Sequence, residues 1–273
     1  MKAGEARILL TGATGGIGQE AAAVFLAAGA RVLITGRSAQ SLAATARGLR
    51  NQHGATQEPL PWVVSDLRDP RQVEQLAEQA AAWQCNVLVH AAGAPAFGAL
   101  DALDAPTMEA VLQTNLLAPM LLTRALLPHL RRQPRAQVLC VGSVLGAIGL
   151  PGYSVYGASK FGLRGFAEAL RRELADTTVR VQYLGPRSTR TAFNSADVHA
   201  YNEATGAAMD SVTTVAAALL RMLEDETAER FLGFPEKLGV RLNALMPAAM
   251  DGSFRRHGRS LAALPTLQER TDS

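Results

Sequence analysis

Tyr156 and Lys160 stand four residues apart in "YGASK", in a chain of 273 residues that holds four tyrosines and three lysines. Side chains at i and i+4 share a helical face, so the phenol and the ammonium can point the same way. A free tyrosine, with a pKa of about 10, is a poor acid or base at neutral pH. A nearby ammonium favours the phenolate and brings the group toward the working range. Any helix carrying both residues by chance shows the same spacing, so the pair alone decides nothing. Ser143 ends the run "VLCVGS" thirteen residues upstream, and a hydroxyl there can donate to a carbonyl oxygen. Asn115 interrupts the apolar stretch "LQTNLLAPM". A polar amide in that setting either satisfies backbone groups or holds a water.

These groups need a scaffold, and the chain spells one. "RILLTG" (7–12), "RVLITG" (31–36), "PWVVSD" (61–66), "NVLVHAAG" (86–93), "AQVLCVGS" (136–143) and "VRVQYLG" (179–185) read as strands. Their apolar runs are continuous, as expected for strands covered on both faces. Helical patterns lie between them at 16–28, 38–50, 69–82, 106–131, 153–175 and 211–224, and "RFLGF" (230–234) offers a seventh strand. This alternation predicts an α/β fold, a doubly wound parallel sheet of about seven strands with helices on both faces. Ser143 then falls at the carboxyl edge of the sheet, where open α/β sheets bind ligands. One domain over 1–260 is expected, and 261–273, including "ALPTLQERTDS", reads as a flexible tail.

The first strand runs into "TGATGGIGQEAAAVFLAAGA". Gly12, Gly16 and Gly18 fall where strand turns sharply into helix, letting the backbone approach a ligand, and the helix start suits a pyrophosphate. A tight turn with close helix–strand packing is the plainer alternative. At the end of the second strand, where a carboxylate would suit the ribose of NAD, stand Gly36 and Arg37. Arg37 can pair with the 2′-phosphate of NADP, or it is a solvated loop residue. Ser38 can cap the next helix or help hold the phosphate. Asp66 can accept from the adenine amino group or serve turn chemistry. "HAAGAPAFG" reads as backbone against a flat ligand, or as a simple βα loop.

Bulk properties narrow the class. The net charge of +3, carried almost wholly by arginine, comes without a lysine-rich run of the nucleic-acid-binding kind. Cys85 and Cys140 match no zinc or redox spacing and sit beside Val and Leu, so buried thiols are expected. The five histidines suggest no metal site. No apolar run is long enough for a signal peptide or an uninterrupted span, and a cytoplasmic protein without a transmembrane segment is expected.

Taken together, "TGATGGIG", "SDL", "AAG", Asn115, "GS", "YGASK" and "PRSTRT" resemble the short-chain dehydrogenase/reductase family over nearly the whole chain. The resemblance implies a Rossmann-type fold and an oxidoreductase that passes hydride between a nicotinamide and a carbonyl/alcohol pair. It implies that Tyr156 is the acid or base, that Lys160 lowers its pKa and holds the nicotinamide ribose, that Ser143 orients the carbonyl, and that Asn115 anchors a relay water. Gly12, Thr14, Gly16, Ile17, Gly18, Arg37, Asp66, Leu67, Ala92, Gly93, Pro186 and Thr191 would line the cofactor together with Tyr156 and Lys160. NADP(H) is favoured over NAD(H) on Arg37. A homodimer or homotetramer is implied, with helices 106–131 and 153–175 as interface candidates.

The chain departs from the family pattern at two places. "HAAG" replaces the usual "NNAG", and His90 reads as a packed strand-end residue. Pro186-Arg187 replaces Pro-Gly, and Arg187 reads as solvent-facing rather than as a partner for an anionic substrate. Residues 187–210 are polar, small and weakly periodic, and the resemblance makes them the flexible substrate loop; Phe97, Leu145, Tyr153 and Phe193 are pocket candidates or core. In 235–259, Leu238, Leu242, Leu245, Met246 and Ala249 form an apolar stripe followed by a basic patch, open to packing, subunit contact or membrane-surface binding. The stripe suggests a hydrophobic substrate. The alternatives are a 3-oxoacyl thioester reductase meeting an acidic carrier, and a non-catalytic NADP-binding sensor or scaffold.

Overall fold

In the computed structural model, which describes residues 1–53 and 60–262, apolar side chains of successive strand residues point to opposite faces of one parallel sheet. The strands are β1 (Arg7–Thr11), β2 (Arg31–Gly36), β3 (Trp62–Val64), β4 (Val87–His90), β5 (Ala136–Val141), β6 (Val179–Gly185) and β7 (Glu229–Phe231), in the order β3-β2-β1-β4-β5-β6-β7. Ile8, Leu10, Val32, Ile34, Val87 and Val89 face one side, packed by α1 (Gly16–Ala27), α2 (Ala39–His53) and, further along, α8 (Val212–Asp225). Leu9, Leu33, Leu88, Val138 and Val181 face the other, packed by α3 (Pro70–Ala82), α5 (Ala118–Leu130) and α6 (Ser154–Glu173). Over β1, β2, β4, β5 and β6 both faces are covered, which is why these strands read as continuous apolar runs.

The chain winds outward from β1 to β3, then returns to place β4 on the other side of β1, with Leu10 beside Val89 and Thr11 beside His90. That reversal opens a crevice beyond the carboxyl ends of β1 and β4. Gly12, at φ +70°, turns the chain there, and a Cβ on it would lie 2.6 Å from the Ala92 main chain. The glycine is therefore required by close backbone approach as well as by φ.

Three elements differ from the sequence expectation. The helix expected over 106–131 begins as α4 (Ala105–Leu112), widens into a π turn at Gln113–Leu117, and resumes as α5. The run 105–130 is long and apolar enough to cross a membrane by length and composition, yet Leu122, Leu126 and Leu130 are buried in the core under the sheet. The stretch 187–210 is not a bare loop. Ser195 caps α7 (Ala196–Thr205) through its hydroxyl and the Val198 N–H, and Thr189 bridges to Asp210. Beyond β7 the chain forms α9 (Glu236–Leu245), α10 (Pro247–Met250) and α11 (Arg255–Ala262). Leu261 and Ala262 thus belong to a helix rather than a tail, while 263–273 lie outside the described residues.

Cys85 and Cys140 are buried free thiols, each pushed up to about 12 by burial. They are packing residues, as their Val and Leu neighbours predict.

Candidate active site

The site assembles at the carboxyl ends of β1, β4, β5 and β6. Tyr156 lies in the first turn of α6, part-exposed, with its phenol near the Ser143 side chain. Lys160 follows one turn later and is 4% exposed; its Nζ donates to the Val141 carbonyl at 3.1 Å and lies 5.6 Å from the centre of the Tyr156 ring. Phenol, serine hydroxyl and ammonium therefore meet in one place, as the spacing predicts.

The electrostatics differ from expectation. Burial, reinforced by Tyr153, pushes the Tyr156 phenol well above its usual value, and the nearby Ser143 hydroxyl only partly offsets this. Burial also lowers Lys160, to about 8. Desolvation penalises both charged forms and outweighs the mutual help that an ammonium gives a phenolate. In the protein alone, Tyr156 is a protonated phenol at neutral pH. Lys160 is an ammonium near its own titration point.

Asn115 takes the backbone-satisfying alternative. Fully buried in the π turn, its Oδ1 accepts from the Ala94 N–H at 2.7 Å. Its Nδ2 donates to the Ala94 carbonyl at 3.0 Å and to Ser159 Oγ at 3.0 Å. Ser159 Oγ in turn donates to the Tyr156 carbonyl at 2.6 Å. The amide thus ties the loop after β4 to the helix that carries the tyrosine, and the widened turn aims it there, a use common for π bulges. Gly93 lies in the same cluster: a Cβ on it would sit 3.5 Å from Asn115 Oδ1 and 3.9 Å from Lys160 Nζ.

Tyr183, on β6, was not singled out by spacing or motif. Its hydroxyl accepts from the Ser143 N–H at 3.0 Å and donates to the Ser143 carbonyl at 2.9 Å. Cβ atoms at Gly142 or Gly146 would collide with its ring, so the two glycines cut its slot. The only sequence signal is a tyrosine inside a buried Val/Leu strand, opposite a glycine pair. Tyr183→Phe leaves the Ser143 N–H unpaired in the interior, while the Ser143 carbonyl keeps its bond from the Gly146 N–H at 3.0 Å. It should cost about 2 kcal/mol in chemical denaturation, and an unchanged midpoint would show that the ring alone holds the segment.

The crevice fits a dinucleotide. Gly15 caps α1 without a side-chain hydrogen bond, and the first turn carries no acidic residue, so its leading N–H groups are available to an anion. Thr14, Gly15 and Gly16 are exposed there, while Ile17 packs inward on the core and Gly18 fits closely over the Gly12 carbonyl. Thr11 Oγ1 accepts from the N–H groups of Ala91 and Ala92 at 3.1 and 3.2 Å, holding the β4 loop beside this turn. Arg37 is exposed at the end of β2, and Ser38 Oγ accepts from the Ser41 N–H at 3.2 Å at the start of α2. A Cβ on Gly16 would lie 2.6 Å from Thr191 Cγ2, so the segment after β6 reaches over the turn. Pro186 is buried, its carbonyl accepting from the Val144 N–H at 2.8 Å.

Two residues are otherwise engaged. Both Asp66 oxygens accept from Arg68, at 2.9 Å from Nη2 and at 3.0 Å from the main-chain N–H, so turn chemistry occupies the carboxylate. The Arg68 hydrogen bonds hold its pKa low, with a further small pull from Arg37. Leu67 is partly buried against the core. Arg187 neither points to solvent nor waits for an anion. It pairs with Asp210 at 2.9 Å and Glu236 at 3.4 Å, pinning the segment after β6 to α9. His90 is the packed residue expected: buried, bonded to Thr123 Oγ1 at 2.8 Å and driven by burial down to about 3, it is neutral.

The model of the short chain dehydrogenase family matches residues 6–202, the span that holds the glycine turn, Ser143, Tyr156 and Lys160. The chain belongs to the short-chain dehydrogenase/reductase family. Among its relatives is the rat dehydrogenase/reductase SDR family member 7B, 32% identical over 80% of this chain and 68% of that protein. Another is an NADP-dependent 3-hydroxy acid dehydrogenase of Schizosaccharomyces pombe, 33% identical over 70% of this chain and 74% of the relative. A short chain dehydrogenase of Burkholderia cenocepacia solved in complex with NADP superposes with a TM-score of 0.76 at 26% identity, covering 87% of this chain and all of that one. Membership makes the chain an oxidoreductase of a nicotinamide-dependent family. Its family motifs sit on the elements just described, with the tyrosine at the start of α6 and the glycine turn at the start of α1.

The pocket candidates also converge. The Phe97 and Tyr153 rings pack 4.8 Å apart at a tilt of 49°, Phe193 lies 6.1 Å from Tyr156, and the Leu145 N–H donates to Ser143 Oγ at 3.1 Å. Tyr201, on α7, joins the group 5.0 Å from Phe97.

Proposed function

We propose that the protein is an NADP(H)-dependent oxidoreductase that interconverts a carbonyl and an alcohol, with Tyr156 as the acid and base. The observation that carries this reading is the Ser143–Tyr156–Lys160 group at the sheet's carboxyl edge, its serine and lysine buried, beside an uncapped helix start. When bound, the nicotinamide supplies or accepts hydride; the chain's own residues do the rest. Ser143 donates to the carbonyl oxygen and fixes its direction. Tyr156, held as a neutral phenol, gives its proton to that oxygen as negative charge develops there. The Lys160 ammonium stabilises the phenolate left behind, and Asn115 positions α6 through Ser159. In the opposite direction the same phenolate accepts the alcohol proton. A sensor or scaffold has no use for a lysine buried at this cost, so the catalytic reading is preferred.

Arg37 supports the phosphorylated cofactor, as do the relative named NADP-dependent and the neighbour solved with NADP. A charge-assisted hydrogen bond is worth roughly 1.5–3 kcal/mol, so Arg37→Ala should weaken NADPH binding by about 10- to 100-fold and leave NADH within about twofold. Parallel fluorescence titrations with the two cofactors measure this, and equal losses would remove Arg37 from the discrimination.

The substrate side favours an apolar group. Phe97, Tyr153, Phe193 and Tyr201 surround the approach to Tyr156. Arg187, well placed by sequence to meet a small acid, is neutralised by Asp210 and Glu236. Homo-oligomerisation fits Leu112, Leu117 and Phe161, which remain exposed on α4, the π turn and α6. Leu112, Leu116, Leu117 and Met120 line a shallow depression there.

A further inference from the structure

Beyond β7, α9 seats one face on the domain and turns an apolar ridge outward. Val240 is buried, Gly239 lies against Ile148, and Asn243 Nδ2 donates to the Ala147 carbonyl at 2.9 Å. Leu238, Leu242 and Leu245, spaced i, i+4, i+7, occupy the other face and are 48%, 36% and 77% exposed. Phe234 and Met246 extend the ridge at its two ends, 78% and 56% exposed.

Cations flank the ridge. Lys237 and Arg241 are exposed on α9; Arg255, Arg256 and Arg259 are exposed on α11. Phe254, immediately before Arg255, packs in the same small cluster as Val240 and Ile148, so the basic end of α11 adjoins α9. Only two carboxylates occur between 235 and 262: Asp251, and Glu236, which already pairs with Arg187.

Protruding aliphatic tips bordered by cations that have no carboxylate partner among the described residues match the interfacial region of an anionic bilayer, where acyl chains take the tips and headgroups the charges. A second copy meeting this face across a two-fold axis would set cations against their own counterparts. An acidic protein would answer the charges and leave the ridge in need of a matching groove. We propose that the outward stripe of α9, Phe234, and the cations of α9 and α11 dock this protein on an anionic lipid surface. The docking face abuts the site. A row of rings runs from Tyr156 to Tyr153 at 6.1 Å, Tyr201 at 6.0 Å, His257 at 5.7 Å and Phe254 at 5.7 Å. Access of lipid-dissolved carbonyl compounds along this row rests on the reductase reading; the docking itself does not.

Cosedimentation of the full chain with vesicles of phosphatidylcholine, and of phosphatidylcholine with phosphatidylserine, tests the proposal. Binding to the anionic vesicles should be at least about tenfold tighter and weaken with added salt. Leu242→Asp with Leu245→Asp should lower partitioning by at least about tenfold. Independently, Arg255→Ala with Arg256→Ala and Arg259→Ala should lower it by on the order of 100-fold, about fivefold per cation. Equal binding to neutral vesicles, or a parent protein that stays in the supernatant with both, overturns the proposal. So does binding that emerges only after removal of 263–273, or a dimer that the leucine variant splits while vesicles recover nothing. Because the readout is partitioning, its failure is distinct from a failure of the reductase reading.

Discussion

Replacing Tyr156 by Phe should lower carbonyl reduction by about 10²- to 10⁴-fold, the range general acid catalysis supplies, while NADPH binding survives. The substitution removes one hydroxyl and leaves the ring against Tyr153 and Phe193. The neighbouring Ser143 Oγ keeps its bond from the Leu145 N–H, so the site should stay assembled. Loss of NADPH absorbance with an aldehyde or ketone panel measures turnover; a separate cofactor titration measures binding. The dissociation constant should shift by less than about threefold, because a cradle built from α1, Arg37 and the β4 loop owes little to the phenol. Turnover above a tenth of the parent's would move the acid elsewhere. Loss of binding together with turnover would give the phenol a binding role instead.

The scaffold under that chemistry was legible because parallel strands covered on both faces must be apolar throughout. "RILLTG" and "NVLVHAAG" could be read as strands, and glycines at their ends marked the turns. Gly12, Ser143, Tyr156 and Lys160 follow from local pattern: each sits at a fixed offset from an element boundary, and the structure brings them to one edge. The remainder depends on contacts distant in sequence. The π turn forms where Asn115 reaches the Ala94 main chain, and nothing in "LQTNLLAPM" separates it from a regular helix. Arg187 reads as a loop arginine until folding supplies Asp210 and Glu236. Tyr183 gains its role only when β6 lies beside β5 and two glycines clear its slot. The shifts of Tyr156 and Lys160 have the same origin: the i, i+4 spacing predicts attraction between them, and burial, the leading cause of both shifts, is a property of the packed site.

Lys160→Met should abolish efficient turnover and yet raise stability. Lys160 is buried, its one described hydrogen bond goes to the Val141 carbonyl, and among the described residues no carboxylate compensates its charge. Burial lowers its pKa from 10.5 to about 8, which corresponds to roughly 3 kcal/mol of destabilisation of the charged form. Methionine has a similar reach without the charge, and leaving the Val141 carbonyl unpaired costs about 1 kcal/mol, so a net gain of about 2 kcal/mol is expected at pH 7. The sign with pH follows from linkage. Below about 8 both native and unfolded lysine are protonated, and the native state carries the whole penalty. Between about 8 and 10.5 the native state sheds its proton first, the parent recovers, and the variant's advantage falls through zero to a deficit of about 1 kcal/mol, the cost of the unpaired Val141 carbonyl. Denaturant midpoints of the two proteins across this window test it, and a constant difference would show that the native ammonium is not desolvated. Turnover moves the other way. In the parent, reduction should fall as pH rises through about 8, because the ammonium that stabilises the Tyr156 phenolate is then lost. The variant, lacking that charge at every pH, should be slower by at least about 100-fold and show no such inflection.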